Sequence, residues 1–427
     1  MRFIGHRDGR IVLVSDKPLT STDFQVMELP VEFESYSSEQ LILECQVRDQ
    51  IVYSKSMKRN PSELKIAFVG NWKMSCGIST YSEKLWPEIL GKAKDYRLFI
   101  EENSNPTQEL DETKFGKLDL AKIIPCWKRG ENLGKLITAI KEFDPDIVFI
   151  QHEFGLFPVA RYWLSLMTQL DRYRVVVTIH STFHHADKTI VEAAIPELVV
   201  HLEGARKLLT EEKKIPGKVY VIPHGCDDFQ PGKLWNFYRT PNTFIQAGFG
   251  FEYKGWGNSL KAVALLKDKY PDVYFTGLFS ESDFNKAAHQ LYYNELLKMI
   301  EELGIQDHAA LIRGFQSDES LDSYLRTNSV AVFPYISQPK HEVWGASGAA
   351  RLAMSKGLPV ISSSVNHFSD LPTLKADSPE AIADHLDRLF SSKTAKEQQV
   401  KRQAKYLKEN SWANVAQKYL DLFCAGV

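Results

Sequence analysis

Short runs of β-branched and aromatic residues alternate with longer segments of helical period through most of this chain, and the alternation stops once and then resumes. The first series of runs is LKIAFVG (64–70), YRLFI (96–100), DIVFIQ (146–151), RVVVTIH (174–180), ELVVH (197–201) and KVYVIPH (218–224), with helices predicted at 78–91, 131–142, 158–171 and 203–213. The break is GCDDFQPGKLWNFYRTPN (225–242), rich in turn formers. The second series is TFIQAG (243–248), VYFTGLF (273–279), ALIRGF (310–315), SVAVFPY (329–335) and LPVISS (358–363), with helices predicted near 255–268, 285–303, 318–327, 347–356 and 378–391. Continuously apolar strands separated by amphipathic helices make a parallel sheet covered on both faces. Two such α/β units joined by a polar linker are therefore expected, with ligands bound at the carboxyl ends of the strands.

Both ends depart from the alternation. Residues 393–423 read as helical with a break at Asn410-Ser411, Ser411 being an N-cap candidate. Residues 1–62 carry alternating patches (FQVMELPVEF, QLILECQV) with no helical unit between them, which predicts a small β-rich extension. A length of 427 residues calls for two or three domains. With 52 basic against 54 acidic residues, no global field favours nucleic acid or an anionic membrane. Cys45, Cys76, Cys126, Cys226 and Cys424 are scattered and form no C-x-x-C pair, which argues against a zinc site or disulfide framework and fits a reducing compartment. Charges interrupt the N-terminal apolar runs, and no stretch reaches the roughly 18 to 20 apolar residues that span a bilayer. The expected location is cytoplasmic, with peripheral association at a membrane as the alternative.

Three strand-to-helix junctions carry the candidate chemistry. In GNWKMSCGISTY, Gly77 opens a helix whose free N–H groups suit a phosphate or a sugar hydroxyl, although a plain capped helix explains the same residues. In QAGFGFEYKGWGNSL, Gly248, Gly250, Gly255 and Gly257 allow close backbone approach, and Lys254 can reach a diphosphate. That loop has neither the P-loop nor the dinucleotide spacing, which disfavours a P-loop ATPase. In PYISQPKHEVWGASGAARLAMSKGLPVISS, Ser347 and Gly348 open a small-residue helix aimed at the cleft, preceded by His341 and Glu342, which also suit a solvated loop. His180, His184 and His185 invite a zinc reading, but no H-E-x-x-H pattern accompanies them, and no metal site is expected. Asp144-Pro145-Asp146 mimics a metal-binding D-x-D, yet its place before a central strand marks a turn.

Over roughly residues 64–423 these motifs resemble, in order, those of the retaining GT-B glycosyltransferases, a large bacterial family that includes many mannosyl- and glucosyltransferases. CGISTY is similar to the family's N-terminal glycine loop, and QHEFGLF with VVVTIHS to the paired "HEYGIF" and "TLH" segments of one subgroup. VIPHGCD resembles "IPHGVD", GFGFEYKGW the phosphate loop "GRLxxxKG", and SGAARLAMSKGLPVISS the subgroup's "SGTLAYALAAGKPVIST". ENSWANVAQKYLDLF looks like the closing helix "SWxxVAxxYLxLY". Phe249 stands where the phosphate loop usually carries Arg, and Trp344 and Leu352 stand where the family's two glutamates fall, the second of them a ribose ligand. Glu342 takes the first role only with a two-residue insertion.

The resemblance implies a GT-B fold: two Rossmann-like domains flanking a deep cleft, plus the β-rich extension. It divides the chain into 1–62 (extension), 63–228 (acceptor domain), 229–395 (nucleotide-sugar domain) and 396–427 (helices crossing back). It implies transfer of a hexosyl or pentosyl unit from a nucleoside diphosphate sugar, UDP or GDP, to a hydroxyl acceptor such as a glycan or lipid-linked sugar. Retention and independence of metal and cofactor come with it. Lys254 and His180 are the expected catalytic residues, although His180 at the end of VVVTIH also suits a buried core histidine bonded to a carbonyl. Gly250, Lys254, Glu342, Ser347 and Gly348 are expected on the donor, and Gly77, His152 and Glu153 on the acceptor or phosphate loop. Arg313 is added to the donor set because RGF follows a strand facing the cleft, a surface arginine being the alternative. A nucleotide-sugar epimerase or hydrolase, a non-catalytic binding protein on the same scaffold, and a nucleic-acid-modifying enzyme are the competing classes.

Overall fold

The computed structural model describes residues 3–7, 10–15, 25–28, 59–74, 76–102, 119–183, 188–229, 239–281, 286–338 and 342–425. The chain falls into two compact units, Met1–Leu64 with Leu420–Val427, and Lys65–Tyr419. In the first, β1 (Phe3–Arg7), β2 (Arg10–Ser15) and β3 (Gln25–Glu28) form an antiparallel sheet of order β2-β1-β3, and the QLILECQV patch lies outside the described residues.

The second unit holds two parallel sheets. β4 (Lys65–Gly70), β5 (Asp95–Glu101), β6 (Ile123–Trp127), β7 (Ile147–His152), β8 (Arg174–Ile179), β10 (Glu197–Val200) and β11 (Lys218–Val221) make the first, in order β11-β10-β8-β7-β4-β5-β6. Helices α1 (Gly77–Leu90), α2 (Gly134–Phe143), α3 (Ala160–Gln169), α4 (Lys188–Glu192) and α5 (Glu203–Lys207) connect them. Val69, Val148, Ile150 and Val177 from the strands pack with Leu136 and Ile140 of α2 and Trp163 and Leu166 of α3, which is why the strands read as unbroken apolar runs. β6 escapes sequence reading because Pro125 sits inside it. The strand lies at the sheet edge, where a missing N–H removes no interior ladder bond.

The second sheet comprises β12 (Thr243–Phe249), β13 (Tyr274–Ser280), β14 (Ala309–Arg313), β15 (Val330–Phe333), β17 (Val360–Ser362) and β18 (Leu374–Lys375), in order β14-β13-β12-β15-β17-β18. Its helices are α6 (Trp256–Leu266), α7 (Lys286–Glu302), α8 (Asp318–Thr327), α9 (Gly348–Ser355) and α10 (Pro379–Ser391), and Phe244, Phe275, Leu260, Val263 and Leu386 are buried together. In both sheets the strand order reverses beside the first strand, at β4/β7 and at β12/β15. Those are the crossover points where doubly wound sheets bind ligands.

Besides the linker, three joins between the two halves stand out among the described residues. Two short strands, β9 (Ser181–Phe183) and β16 (Val343–Gly345), pair antiparallel across them. The indole of Trp344 lies so close to Gly204 of α5 that a Cβ there would sit 1.9 Å from Cζ3. The third join is the C-terminal chain. α11 (Lys393–Glu409) packs on the second sheet, where Gln403 donates to the Leu358 carbonyl (2.7 Å) and accepts from the Val360 amide (2.9 Å). α12 (Trp412–Cys424) then carries Tyr419 to the first sheet, its hydroxyl 2.9 Å from Thr178 Oγ1 and 3.1 Å from the Tyr81 hydroxyl. The sequence break at Asn410-Ser411 is the junction between them, and Ser411 Oγ caps α12 by accepting from Asn414 N at 3.3 Å.

This return crossing runs against the linker. Cys226 N donates to Asn410 O (2.9 Å), Trp412 N to Cys226 O (3.2 Å), and Trp412 Nε1 to Asp227 Oδ1 (2.9 Å). Gly225 is required there, since a Cβ would meet Trp412 Cε3 at 2.1 Å. Gly225→Ala is expected to lower stability by about 1 to 3 kcal/mol through overpacking. Denaturant unfolding monitored by fluorescence measures it, and a midpoint equal to wild type would show that the crossing is not tightly packed.

Candidate functional site

The carboxyl ends of both sheets face a cleft of about 1250 Å³. From the first sheet it receives Cys76, Gly77, Arg129, Glu153, His180, Ser181 and His224. From the second it receives Phe249, Lys254, Tyr335, Glu342, Gly348, Ser364, His367 and Asp377.

Lys254 follows β12 in a one-turn 3₁₀ helix ended by Gly255 at φ +71°. A side chain at Gly255 would be strained, and its Cβ would lie 1.8 Å from Pro334 O, so the loop crosses the end of β15 only because glycine is there. This crossing delivers Lys254 Nζ to the Tyr335 hydroxyl at 2.7 Å, with the ammonium 3.9 Å from the Tyr335 ring centroid and 4.9 Å from that of Tyr253. Among the described residues no carboxylate pairs with it, and burial holds its pKa below the ordinary lysine value. Tyr335 is also hydrogen-bonded by the Ser347 side chain, and Ser347 Oγ caps α9 by accepting from Ala350 N at 3.4 Å. The cation and a helix N-terminus are thus linked through one phenol, and both favour an anion.

On the facing side, the backbone of His180 follows β8 and its N–H donates to His152 O at 3.1 Å. Its ring hydrogen-bonds through Nε2 to Gln151 Oε1 at 2.8 Å and meets the Tyr81 ring edge-on at 4.7 Å. Burial, and then the neighbouring His201 and His152, push its pKa well below the ordinary value, so the ring is neutral near pH 7. Glu153 is moved the opposite way. Burial raises its carboxyl to about 7, against hydrogen bonds from Ser181 and the Phe154 amide that favour the charged form. Near neutrality it can both accept and donate a proton. Arg129 contacts Glu101 through Nε at 2.8 and 3.0 Å, and Asn71 Nδ2 donates to the same buried carboxylate at 2.8 Å.

The structure therefore brings Gly77, Glu153, His180, Lys254, Glu342 and Gly348 to one cleft. Glu342 accepts from Asn366 Nδ2 at 2.5 Å. Four of the expected residues are placed otherwise. Arg313 is directed away, paired with Glu281 (2.6 Å) beside the Tyr293 ring. His152 is buried in a cage of Phe154, Phe157 and Trp163, where desolvation lowers its pKa to about 3. Gly250 is buried against Phe279, whose Cζ would lie 2.0 Å from an added Cβ, so its smallness serves packing. The Ser347 hydroxyl is engaged by Tyr335 and by its own helix, and Gly348 is the residue that lines the cleft. His184, His185 and His341 lie outside the described residues. Asp144 caps α2 at φ +47° and Asp146 accepts from the Lys65 amide (2.8 Å), so this pair is a turn before β7. Trp344 and Leu352 are packed among apolar neighbours.

Sequence reading passed over Arg129, His224, Tyr335, Asn366, His367 and Asp377. Of these, His224 lies in VIPHGCD and Tyr335 in PYISQPKHEVWG, while the others lie in no motif quoted above.

Two family models match the sequence: "Glycosyltransferase Family 4" over residues 103–228 and "Glycosyl transferases group 1" over residues 233–407. No curated protein matches in sequence. Among solved structures, the chain is similar to a glycosyltransferase from Rickettsia africae (16% identity, TM-score 0.64, covering 84% of this chain and 98% of that one). It is also similar to Anabaena HepE in complex with UDP and glucose (12%, TM-score 0.61, 84% and 99%). A third is the sucrose-phosphate synthase of Thermosynechococcus elongatus (14%, TM-score 0.62, 84% and 98%). At these identities the likeness concerns the fold.

Because Glu153 has a raised pKa in the folded state, its contribution to stability is full below about 4.5 and is lost as pH rises through about 7. Glu153→Gln should flatten the pH dependence of denaturant stability over that window. Curves of equal slope for both proteins would show that the carboxyl is solvated.

Proposed function

We infer that this member of the GT-B glycosyltransferase superfamily moves a hexosyl or pentosyl unit from a nucleoside diphosphate sugar to a hydroxyl acceptor, with retention of configuration and without a metal. The observation that carries the reading is Lys254: an ammonium in the cleft wall with aromatic and phenolic neighbours and, among the described residues, no carboxylate, one phenol away from a helix N-terminus.

Breaking the glycosidic bond leaves negative charge on the departing diphosphate, and only charge already fixed in place lowers that barrier. Lys254 and the free amides at Gly348 supply it. The family's usual arginine is replaced by Phe249, which lines the cleft, so more of the stabilisation falls on Lys254. The HepE structure holds UDP and glucose, and that pairing supports a nucleotide-sugar donor for the second half of this chain, residues 229–395. Residues 63–228 would then face the acceptor through Gly77, Glu153 and His180, and residues 396–427 would join the two. Support for metal independence lies in the cationic provision just described, and in the remoteness of Asp144 and Asp146 from the strand ends that form the cleft. Retention is supported by the resemblance of the motifs.

His180, neutral and held by Gln151, is suited to hydrogen-bond a hydroxyl of the transferred sugar or the acceptor. The acceptor is read as a glycan or lipid-linked sugar. No helix among the described residues is long and apolar enough to cross a membrane, and the site of action proposed is the cytoplasm, free or at a membrane surface.

One observation favours a second reading. With Trp344 wedged on Gly204 and Leu352 packed into the core, neither glutamate position can offer a carboxylate to a ribose. A donor hydrolase or epimerase on this scaffold would be distinguished by incubating donor alone: hydrolysis or epimerisation outrunning transfer favours it.

Lys254→Ala is expected to raise the barrier by about 3 kcal/mol, lowering kcat/KM by roughly a hundredfold with the fold unchanged. Wild-type turnover would place the phosphate site elsewhere. His180→Ala should abolish transfer while nucleotide affinity measured by calorimetry stays near wild type; equal loss of both would make His180 a donor-binding residue.

A further inference from the structure

His224 stands at the end of the first half, between β11 and the linker, and its ring lines the cleft. Nδ1 lies 2.7 Å from the Gly225 carbonyl, which can only accept, so Nδ1 carries the proton. The ring is enclosed by Tyr81 (5.0 Å), His201 (5.4 Å) and Trp412 (5.5 Å), which fix its plane. Burial, the buried guanidinium of Arg351 and the imidazoles of His201 and His180 all favour its neutral form. The neutral ring with Nδ1 protonated presents a lone pair at Nε2. That atom makes no hydrogen bond among the described residues and lies 3.7 Å from where a Cβ on Gly348 would stand, at the opening of α9.

Resting on the glycosyltransferase reading, we propose that His224 Nε2 accepts a hydrogen bond from a substrate hydroxyl held at the opening of α9. The amides at Gly348 can bind a phosphate oxygen, and Nε2 cannot, because two lone pairs would then face one another. The two groups therefore sort the ligand by chemistry: its diphosphate belongs on the helix end, and what abuts the imidazole must carry an O–H. The hydroxyl belongs either to the transferred sugar next to the diphosphate or to the acceptor. His224 is in this sense a specificity residue, one that holds the glycosyl carbon in register with the charge that leaves it.

His224→Phe and His224→Gln test this, with UDP and UDP-glucose as calorimetric probes (GDP and GDP-mannose if wild type prefers guanine). If the hydroxyl is the donor's, Phe weakens the nucleotide sugar roughly tenfold and leaves the free nucleotide unchanged. If it is the acceptor's, both affinities hold and the acceptor KM rises by a similar factor. In either case Gln, whose amide oxygen can accept at the same place, recovers most of the loss. Equal weakening of the free nucleotide by Phe would make His224 a phosphate ligand and overturn the proposal. So would unchanged affinities and kinetics in a folded variant. If the wild-type protein binds neither nucleotide nor nucleotide sugar, the glycosyltransferase reading itself fails first.

Discussion

The cleft is organised around the positive charge of Lys254, which no carboxylate among the described residues neutralises. An ammonium removed from water without a carboxylate is costly, and Lys254 is kept there by two aromatic faces and one phenol. Its depressed pKa is the measure of that cost. Gly255 is needed to bring the loop across the end of β15, Tyr335 is needed to receive the ammonium, and Ser347 is needed to tie that tyrosine to α9. A bound diphosphate would relieve the desolvated cation and engage the same helix end. The imidazoles opposite are held neutral, so they do not compete for the anion and remain available to hydroxyl groups.

That division of labour requires both halves to stay in register. The linker and the return crossing run side by side at Cys226 and Ser411, and β9 pairs with β16 between the residues that matter most. His180 immediately precedes β9, and two residues separate Gly348 from the end of β16. Strand pairing thus sets the spacing between the hydroxyl-facing histidine and the phosphate-facing helix. Trp344, standing where the family carries a carboxylate, has become the wedge that secures this pairing against Gly204.

The larger sheets were legible because burial on both faces writes unbroken apolar runs into the sequence. Those runs locate β4, β7, β8, β12 and β15 within a residue or two, and with them the loops holding Glu153, His180 and Lys254. β6 was hidden by an edge-strand proline, while β9 and β16 are three residues each, too short to carry a period. Site residues read from position at a strand end failed where the side chain found a better partner. Arg313 ends β14 but pairs with Glu281, and His152 ends β7 yet turns into an aromatic cage instead of outward like its neighbour Glu153. Asn366 and Asp377 sit in loops whose sequences resemble any polar turn, and Tyr335 opens a stretch read for its helix start and not for its phenol; only the fold shows that they converge.

A crystal structure with UDP or GDP bound would examine the placement of the anion most directly. The distal phosphate should lie about 3 Å from both Lys254 Nζ and the amide at Gly348, with the ammonium drawn off the Tyr335 ring toward it. A nucleotide ordered elsewhere, with Lys254 still resting on Tyr335, would contradict the assignment of this cleft to a sugar-linked diphosphate.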